Sequence, residues 1–204
     1  MSFVTAMLQP VFRPSVFLPT LILLAAALPI CAQPVGSPQP ISATGISSDV
    51  EASGQGQGLG LRLGYYDDFR NVGVIYETPT WWSHRFENGW GRIDLNAELG
   101  LTYWDATKGD PQSLWQLSAT PMLRWWPNEF IYTEIGVGAT VLSRTSFADR
   151  NFGSAFQFGN HIGVGAVINK SHQVGLRFSH FSNAGIKEPN DGLDVVQLSY
   201  TYRY

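Results

Sequence analysis

The sequence predicts an all-β protein, an eight-stranded antiparallel transmembrane β-barrel. From about residue 59 to the C-terminus, apolar residues alternate with polar or small ones, which is the period of a strand with two different faces. No stretch after residue 58 carries a convincing helical period. A secretory signal precedes the alternating region, so export to the cell envelope fits the same prediction.

Residues 1–32 are predicted to be a signal peptide. Arg13 precedes an apolar stretch over 17–30, and Cys31-Ala32-Gln33 follows it. The apolar core is short for a membrane span, and we expect cleavage after Ala32. Because an isoleucine precedes Cys31 where a small residue is expected, lipidation of that cysteine is disfavoured. The mature chain then has no cysteine, so disulfides and thiol chemistry carry neither fold nor function.

Residues 33–58 are predicted to be a flexible periplasmic leader. They are rich in Pro, Ser, Gly and Gln and have too little apolar surface to order themselves. Gly54, Gly56 and Gly58 resemble a phosphate-binding loop only superficially, since they follow no strand and no Lys-Ser or Lys-Thr pair comes after them. Residues 59–204 then form the barrel.

The barrel strands follow from the alternation. The clearest one begins near residue 90: its odd positions from Ile93 to Tyr103 are apolar, while its even positions include Asp94 and Glu98. A barrel interior with water or internal ion pairs accepts such charges, and a sandwich core does not. Arg62, Glu98, Glu134, Arg177 and Arg203 all fall on the interior parity. The eight predicted strands are 59–67, 71–82, 90–105, 113–126, 130–143, 155–169, 172–183 and 193–204.

The connections alternate between two sides of the membrane. With both termini in the periplasm, the periplasmic turns are 83–89, 127–129 and 170–171, and the outer loops are 68–70, 106–112, 144–154 and 184–192. Pro79 disturbs the alternation of the second strand. Tryptophans lie beside the proposed turns, which predicts aromatic girdles at the membrane surfaces. We expect Trp104 in the outer girdle and the following in the periplasmic one: Trp81, Trp82, Trp90, Trp125 and Trp126.

Composition excludes several classes of function. A net charge of -3 with no basic patch gives no electrostatic basis for binding nucleic acid. No His, Cys, Asp and Glu residues have metal-ligand spacing, so no metal and no cofactor are expected. His161 alternates with glycines on the interior parity and is interpreted as a hydrogen-bonded residue of the barrel lumen.

His180 and Ser182 form the candidate catalytic pair. Alternate residues of a strand share a face, so the two side chains are neighbours. A histidine beside a serine can accept the hydroxyl proton and make the oxygen a nucleophile, which is the chemistry of ester hydrolysis. The pair continues the apolar series of Val174, Leu176 and Phe178, which faces lipid in a membrane barrel.

Asp194 is the candidate acid. It shares the lipid-facing parity of the last strand, and the last hairpin brings the start of that strand to the end of its neighbour. A carboxylate at the bilayer surface needs a partner, and a histidine that accepts a proton needs an acid to orient it. The patch lies at the outer end of the barrel, so a lipid of the external leaflet is the predicted substrate.

The run His180-Phe181-Ser182-Asn183-Ala184-Gly185-Ile186, followed by Pro189-Asn190-Asp191-Gly192, resembles the signature hairpin of the outer-membrane lipid A 3-O-deacylases of the PagL type. The resemblance implies that Ser182 is the nucleophile, His180 the general base and acid, and Asp194 the orienting acid. It also implies that Asn183 is critical for activity and that Asn190 helps to stabilise the oxyanion. The family usually has Glu as the acid, so the reach of the shorter Asp194 is in question.

The resemblance implies an outer-membrane serine esterase that removes the ester-linked 3-hydroxyacyl chain from the 3-position of lipid A. Its partners are then lipopolysaccharide and membrane lipids, and its active site lies near the outer leaflet. The oligomeric state stays open, with a homodimer among the options. Two alternatives also stay open: a noncatalytic structural or adhesive barrel, and an acyltransferase or phospholipase at the same location.

Overall fold

The structure is a computed structural model that describes residues 54–204. The predicted signal peptide, residues 1–32, and residues 33–53 of the predicted leader lie outside the described residues. The described chain contains these strands: β1 Gly58–Tyr66, β2 Phe69–Glu77, β3 Trp82–Arg85, β4 Arg92–Ala106, β5 Ser113–Trp126, β6 Ile131–Leu142, β7 Ser146–Phe147, β8 Arg150–Asn151, β9 Phe156–Ile168, β10 His172–Ser182 and β11 Leu193–Arg203.

Eight of these strands form a closed antiparallel barrel, which confirms the predicted fold class. Neighbours follow the order β2, β1, β11, β10, β9, β6, β5 and β4, and the pairing of β2 with β4 closes the ring. Full closure leaves no unpaired edge of the kind that lipid does not tolerate. The short β3 continues beside β4 beyond the end of β2, and β7 pairs only with β8. Within residues 54–204, no helix has the length and apolar character needed to cross a membrane.

Predicted and observed strand limits agree to within two residues for seven of the eight barrel strands. The exception is the second predicted strand, 71–82, which was too long. The observed β2 ends at Glu77, and residues 78–81 form no regular strand before β3 begins, although the backbone N–H groups of Thr78 and Trp81 still donate to carbonyl oxygens of β4. Pro79 lies in this break and has no N–H to donate to a ladder, which accounts for the interruption.

A chain of ion pairs fills the interior of the barrel. Arg177 bridges Glu98 at 2.9 Å and Glu134 at 2.6 Å, and Arg124 bridges Glu134 at 3.0 Å and Glu77 at 2.5 Å. Arg62 pairs with Glu98 at one end of this series of ion pairs, and Arg203 pairs with Glu77 at the other end. Each buried charge thus has an opposite charge beside it, which offsets the cost of removing it from water. The predicted interior placement is confirmed for all five residues that the alternation assigned there: Arg62, Glu98, Glu134, Arg177 and Arg203.

An apolar cluster closes the barrel at the end away from the described termini. Phe147 of β7 and Phe152, which follows β8, are buried against Phe69, Trp104 and Phe181 from the barrel wall. The β7–β8 hairpin therefore packs into this end of the barrel. These residues belong to the predicted outer loop 144–154, for which the alternation predicted no strand.

Two tryptophans do not lie in the predicted girdles. Trp126 is 1% exposed and Trp104 is 0% exposed, so both point into the barrel. Adjacent residues of a strand face opposite sides, so only one residue of the pair Trp125-Trp126 can face outward. The outward one is Trp125, at 39% exposure. The other three tryptophans predicted for the periplasmic girdle are exposed: Trp81, Trp82 and Trp90.

Candidate active site

The hairpin of β10 and β11 brings His180 and Asp194 face to face. The two residues are direct cross-strand partners in the antiparallel register. His180 Nδ1 lies 2.7 Å from Asp194 Oδ1, so the shorter acid reaches the ring. An ionised carboxylate only accepts hydrogen bonds, so Nδ1 carries the proton and donates, which leaves Nε2 of a neutral imidazole as the acceptor.

Neither side chain is buried. His180 and Asp194 have side-chain exposures of 43% and 39%. They share their face with the exposed Leu176 and Phe178 of β10 and Leu198 of β11. The pair is therefore a polar patch at one edge of an apolar surface.

Ser182 is the last residue of β10 and has the same parity as His180. It is half-buried, and its hydroxyl makes no hydrogen bond within residues 54–204. A Cβ atom added to Gly192 would lie 3.2 Å from Cε1 and 3.8 Å from Nε2 of His180. The accepting edge of the ring therefore faces Gly192, at the end of the strand where Ser182 lies.

Asn183 anchors the loop that follows the pair. The side chain is fully buried, and Nδ2 donates to the carbonyl oxygens of Phe152 at 2.7 Å and Lys187 at 2.6 Å. Since an amide nitrogen has two hydrogens, both are used. The backbone N–H of Asn183 donates to Asn190 Oδ1 at 3.0 Å. The structure therefore places Asn183 beneath the loop and Asn190 across it, with the Asn190 oxygen already engaged.

The β7–β8 hairpin braces the same loop from the other side. Asn151 N donates to Asp191 Oδ2 at 2.6 Å, and Asp191 N donates to Asn151 O at 3.1 Å. At Gly153, where φ is +68°, an added Cβ would lie 2.5 Å from the carbonyl oxygen of Pro189 and 2.6 Å from that of Lys187. This contact could not be predicted from the sequence, because the partners are 40 residues apart and neither shows a periodic signal.

A second histidine and serine lie inside the barrel and are separate from this patch. His161 Nδ1 lies 2.8 Å from Ser179 Oγ, and Ser179 donates to Gln197 at 2.8 Å. His161 is thus a hydrogen-bonded lumen residue, as predicted, although its Nε2 has no partner within the described chain. Residues 54–204 contain no group of three or more His, Cys, Asp and Glu side chains that could hold a metal ion.

Comparisons with known proteins agree on one family. A family model described as Lipid A 3-O-deacylase (PagL) matches residues 70–203. Lipid A deacylase PagL of Bordetella bronchiseptica is 57% identical over 148 residues, which cover 72% of this chain and 83% of that protein. Lipid A deacylase PagL of Pseudomonas aeruginosa is 33% identical over 162 residues, which cover 78% and 85%.

A solved structure is also similar to this chain. The crystal structure of the outer membrane enzyme PagL superposes with a TM-score of 0.62 and 27% sequence identity. The match covers 72% of this chain and 99% of the crystallised one. The similarity therefore extends over the barrel as well as over the hairpin that carries His180 and Ser182.

Proposed function

The chain belongs to the lipid A 3-O-deacylase (PagL) family of outer-membrane barrel enzymes, and we propose that it cleaves lipid A with Ser182, His180 and Asp194 as a catalytic triad. The observation that carries this mechanism is the 2.7 Å contact between His180 Nδ1 and Asp194 Oδ1 on the outward face of the last hairpin. The bond orients the ring and leaves Nε2 free to act as a base.

The proposed reaction has two steps. His180 Nε2 takes the proton of Ser182 while Oγ attacks the carbonyl carbon of the ester at the 3-position of lipid A. The tetrahedral intermediate collapses, the C–O bond to the sugar breaks, and the sugar oxygen takes the proton from His180. Water then gives its proton to Nε2 and attacks the acyl-Ser182, which releases a 3-hydroxy fatty acid and restores the serine. Side chains alone supply these proton transfers, so the mechanism needs no cofactor.

The nucleophile and the base must approach each other when the substrate binds. Cα atoms two residues apart in a strand are about 6.6 Å apart, and both side chains point the same way. Catalytic hydrogen bonds are often long in a free enzyme and shorten in the complex. Because the Nε2 edge of His180 faces the loop end, we propose that rotation of the Ser182 side chain brings Oγ toward it.

The hydrogen-bond donors that would stabilise the oxyanion lie in the loop 183–192. Both Nδ2 hydrogens of Asn183 are engaged with carbonyl oxygens, so this side chain supports the loop and does not donate to the substrate. Asn190 uses its oxygen for the Asn183 backbone, and its Nδ2 makes no hydrogen bond within residues 54–204. We therefore assign the oxyanion donor to Asn190 Nδ2, with backbone N–H groups of the loop as further donors.

The direct test is the mass spectrum of lipid A from a Gram-negative host that expresses the chain or its Ser182→Ala variant. The proposal predicts loss of one ester-linked 3-hydroxyacyl group only with the intact serine. A gain of an acyl chain would indicate an acyltransferase, and unchanged lipid A with altered phospholipids would indicate a phospholipase. Unchanged lipids with a folded barrel in the membrane would indicate a noncatalytic protein and contradict the proposal.

A further inference from the structure

The outward face of β9 carries one polar residue, Asn160. Its neighbours of the same parity are apolar: Phe156, Phe158, Ile162, Val164, Ala166 and Ile168. Asn160 is exposed, as are most residues of this series. Among the eight described barrel strands, it is also the one Asn or Gln on the outward parity. Its position in a lipid-facing series is therefore unusual for this barrel.

Asn160 is adjacent to the catalytic histidine. It is the direct cross-strand partner of His180 on one side and of Val137 on the other. Asp194 is the partner of His180 on the opposite strand, so Asn160, His180 and Asp194 form one row across three strands. Side chains directly opposite each other have Cβ atoms about 4.5–5.5 Å apart. Asn160 thus flanks the ring on the side that Asp194 does not occupy.

The carboxamide of Asn160 has no hydrogen-bond partner within residues 54–204, whereas Nδ1 of His180 is engaged with Asp194. A carboxamide that faces lipid without a partner is costly, because acyl chains offer no hydrogen bonds. A bound lipid whose polar groups reach this level would supply the partner. The amide both donates and accepts, so it suits a hydroxyl or a carbonyl oxygen.

We propose that Asn160 is a substrate-binding residue whose carboxamide hydrogen-bonds a hydroxyl or carbonyl oxygen of the acylated sugar beside the scissile ester. The contact holds the ester in front of Ser182 and His180 from the β9 side. This inference rests on the proposed function, because it takes the same lipid as its ligand. Substrate binding by Asn160 does not require that Ser182 be the nucleophile, so the two can fail separately.

The test measures binding without turnover. In the Ser182→Ala background, the full-length mature protein in detergent micelles is titrated with lipid A, with and without Asn160→Leu. Leucine continues the apolar series of β9, so the variant should fold like the parent, and heat-dependent mobility on a gel checks this. We expect lipid A to bind about tenfold more weakly, the effect of losing one hydrogen bond of ordinary strength. If the leucine variant fails to fold, Asn160→Ala is measured in the same way.

Thr133→Leu is the matched control. Thr133 is an exposed polar residue on the outward parity of β6, near the opposite end of that strand, and its removal should leave the affinity unchanged. In the background with intact Ser182, Asn160→Leu should raise KM about tenfold and change kcat less than about threefold. If Asn160→Leu lowered the yield of folded protein but the folded fraction kept the parent KM, Asn160 would have a merely structural role.

The outcomes separate the two proposals. Equal affinity of the Asn160→Leu and parent proteins, or no binding of lipid A to the parent, would overturn the role of Asn160. Weaker binding of the variant combined with no deacylation by the protein with intact Ser182 would support Asn160 and count against the proposed function alone.

Discussion

Replacing Asp194 by Asn removes the charge that stabilises the protonated His180 and keeps the shape of the side chain. Opposite charges about 4 Å apart interact by about 4 kcal/mol at an effective dielectric constant of about 20. The side chains are 43% and 39% exposed, so solvent screening reduces the figure. Discounting by about half leaves about 2 kcal/mol, or about 30-fold in kcat.

The amide adds a second effect. Asn Nδ2 can donate to the ring, which places the proton on Nε2 and removes the base, and in serine proteases this change costs about 10⁴ in kcat. We therefore expect kcat of Asp194→Asn to fall by a factor between about 30 and about 10⁴, with little change in KM. The assay is release of 3-hydroxy fatty acid from lipid A in detergent micelles by the purified variants, quantified by mass spectrometry.

Two further variants make this prediction decisive. Asp194→Glu keeps the carboxylate and should stay within about tenfold of the parent, since the exposed site has room for adjustment. Asp105→Asn removes another outward carboxylate at the same end of the barrel. This carboxylate pairs with Arg70, so its loss should leave kcat unchanged. If Asp194→Asn retained more than about half of the parent kcat, this would refute the claim that Asp194 orients His180 and stabilises its protonated form.

Three other predictions follow from contacts around the site and in the lumen. Gly192→Ala places a Cβ atom 3.2 Å from Cε1 of His180, so deacylation should fall about tenfold while the barrel still folds. Asp191→Ala removes the carboxylate that accepts a hydrogen bond from Asn151 N of the β7–β8 hairpin, so the loop 183–192 should open more often. Trypsin should then cleave the folded protein after Lys187 faster, and kcat should fall. Arg177→Leu leaves two buried glutamates with one arginine fewer, which should lower the unfolding free energy in urea by about 3 kcal/mol.

Each of these has a matched control. Gly89, between β3 and β4, also has a positive φ, +80°, and an added Cβ there would meet nothing within 4 Å, so Gly89→Ala should carry the backbone strain without the loss of activity expected at Gly192. Asp68→Ala removes a carboxylate that pairs only with an exposed lysine and should not alter proteolysis. Arg70→Leu breaks an exposed pair and should cost less than about 1 kcal/mol. Equal effects of a variant and its control would show that the assigned contact is not the cause.

Much of the fold could be predicted because barrel alternation is a local property. Residues 92–103 show apolar and charged faces without any knowledge of the neighbouring strands, and the same holds for His180, Ser182 and Asp194 on the outward parity. Local signals conflict at Pro79, and β2 ends before it although the predicted strand continues to residue 82. Trp126 faces inward because strand parity determines its side, and its position beside a turn does not.

The rest depends on contacts between distant residues. The β7–β8 hairpin inserts Phe147 and Phe152 into the barrel and braces Asp191, and no periodic pattern in 144–154 indicates this. The role of Asn183 was inferred from resemblance, and only its burial shows that it supports the loop from below. Asn160 could be placed on the outward face from the alternation, but its position beside His180 required the register of β9 and β10.

The central claim is that Ser182 is the nucleophile and that His180 activates it. The most direct measurement is covalent labelling of the purified, folded barrel with a long-chain alkyl fluorophosphonate, followed by digestion and mass spectrometry. The account predicts one adduct on the peptide that contains Ser182, formed by displacement of fluoride, and its loss in His180→Ala. An adduct on another residue, or labelling of Ser182 at the same rate without the histidine, would contradict the account.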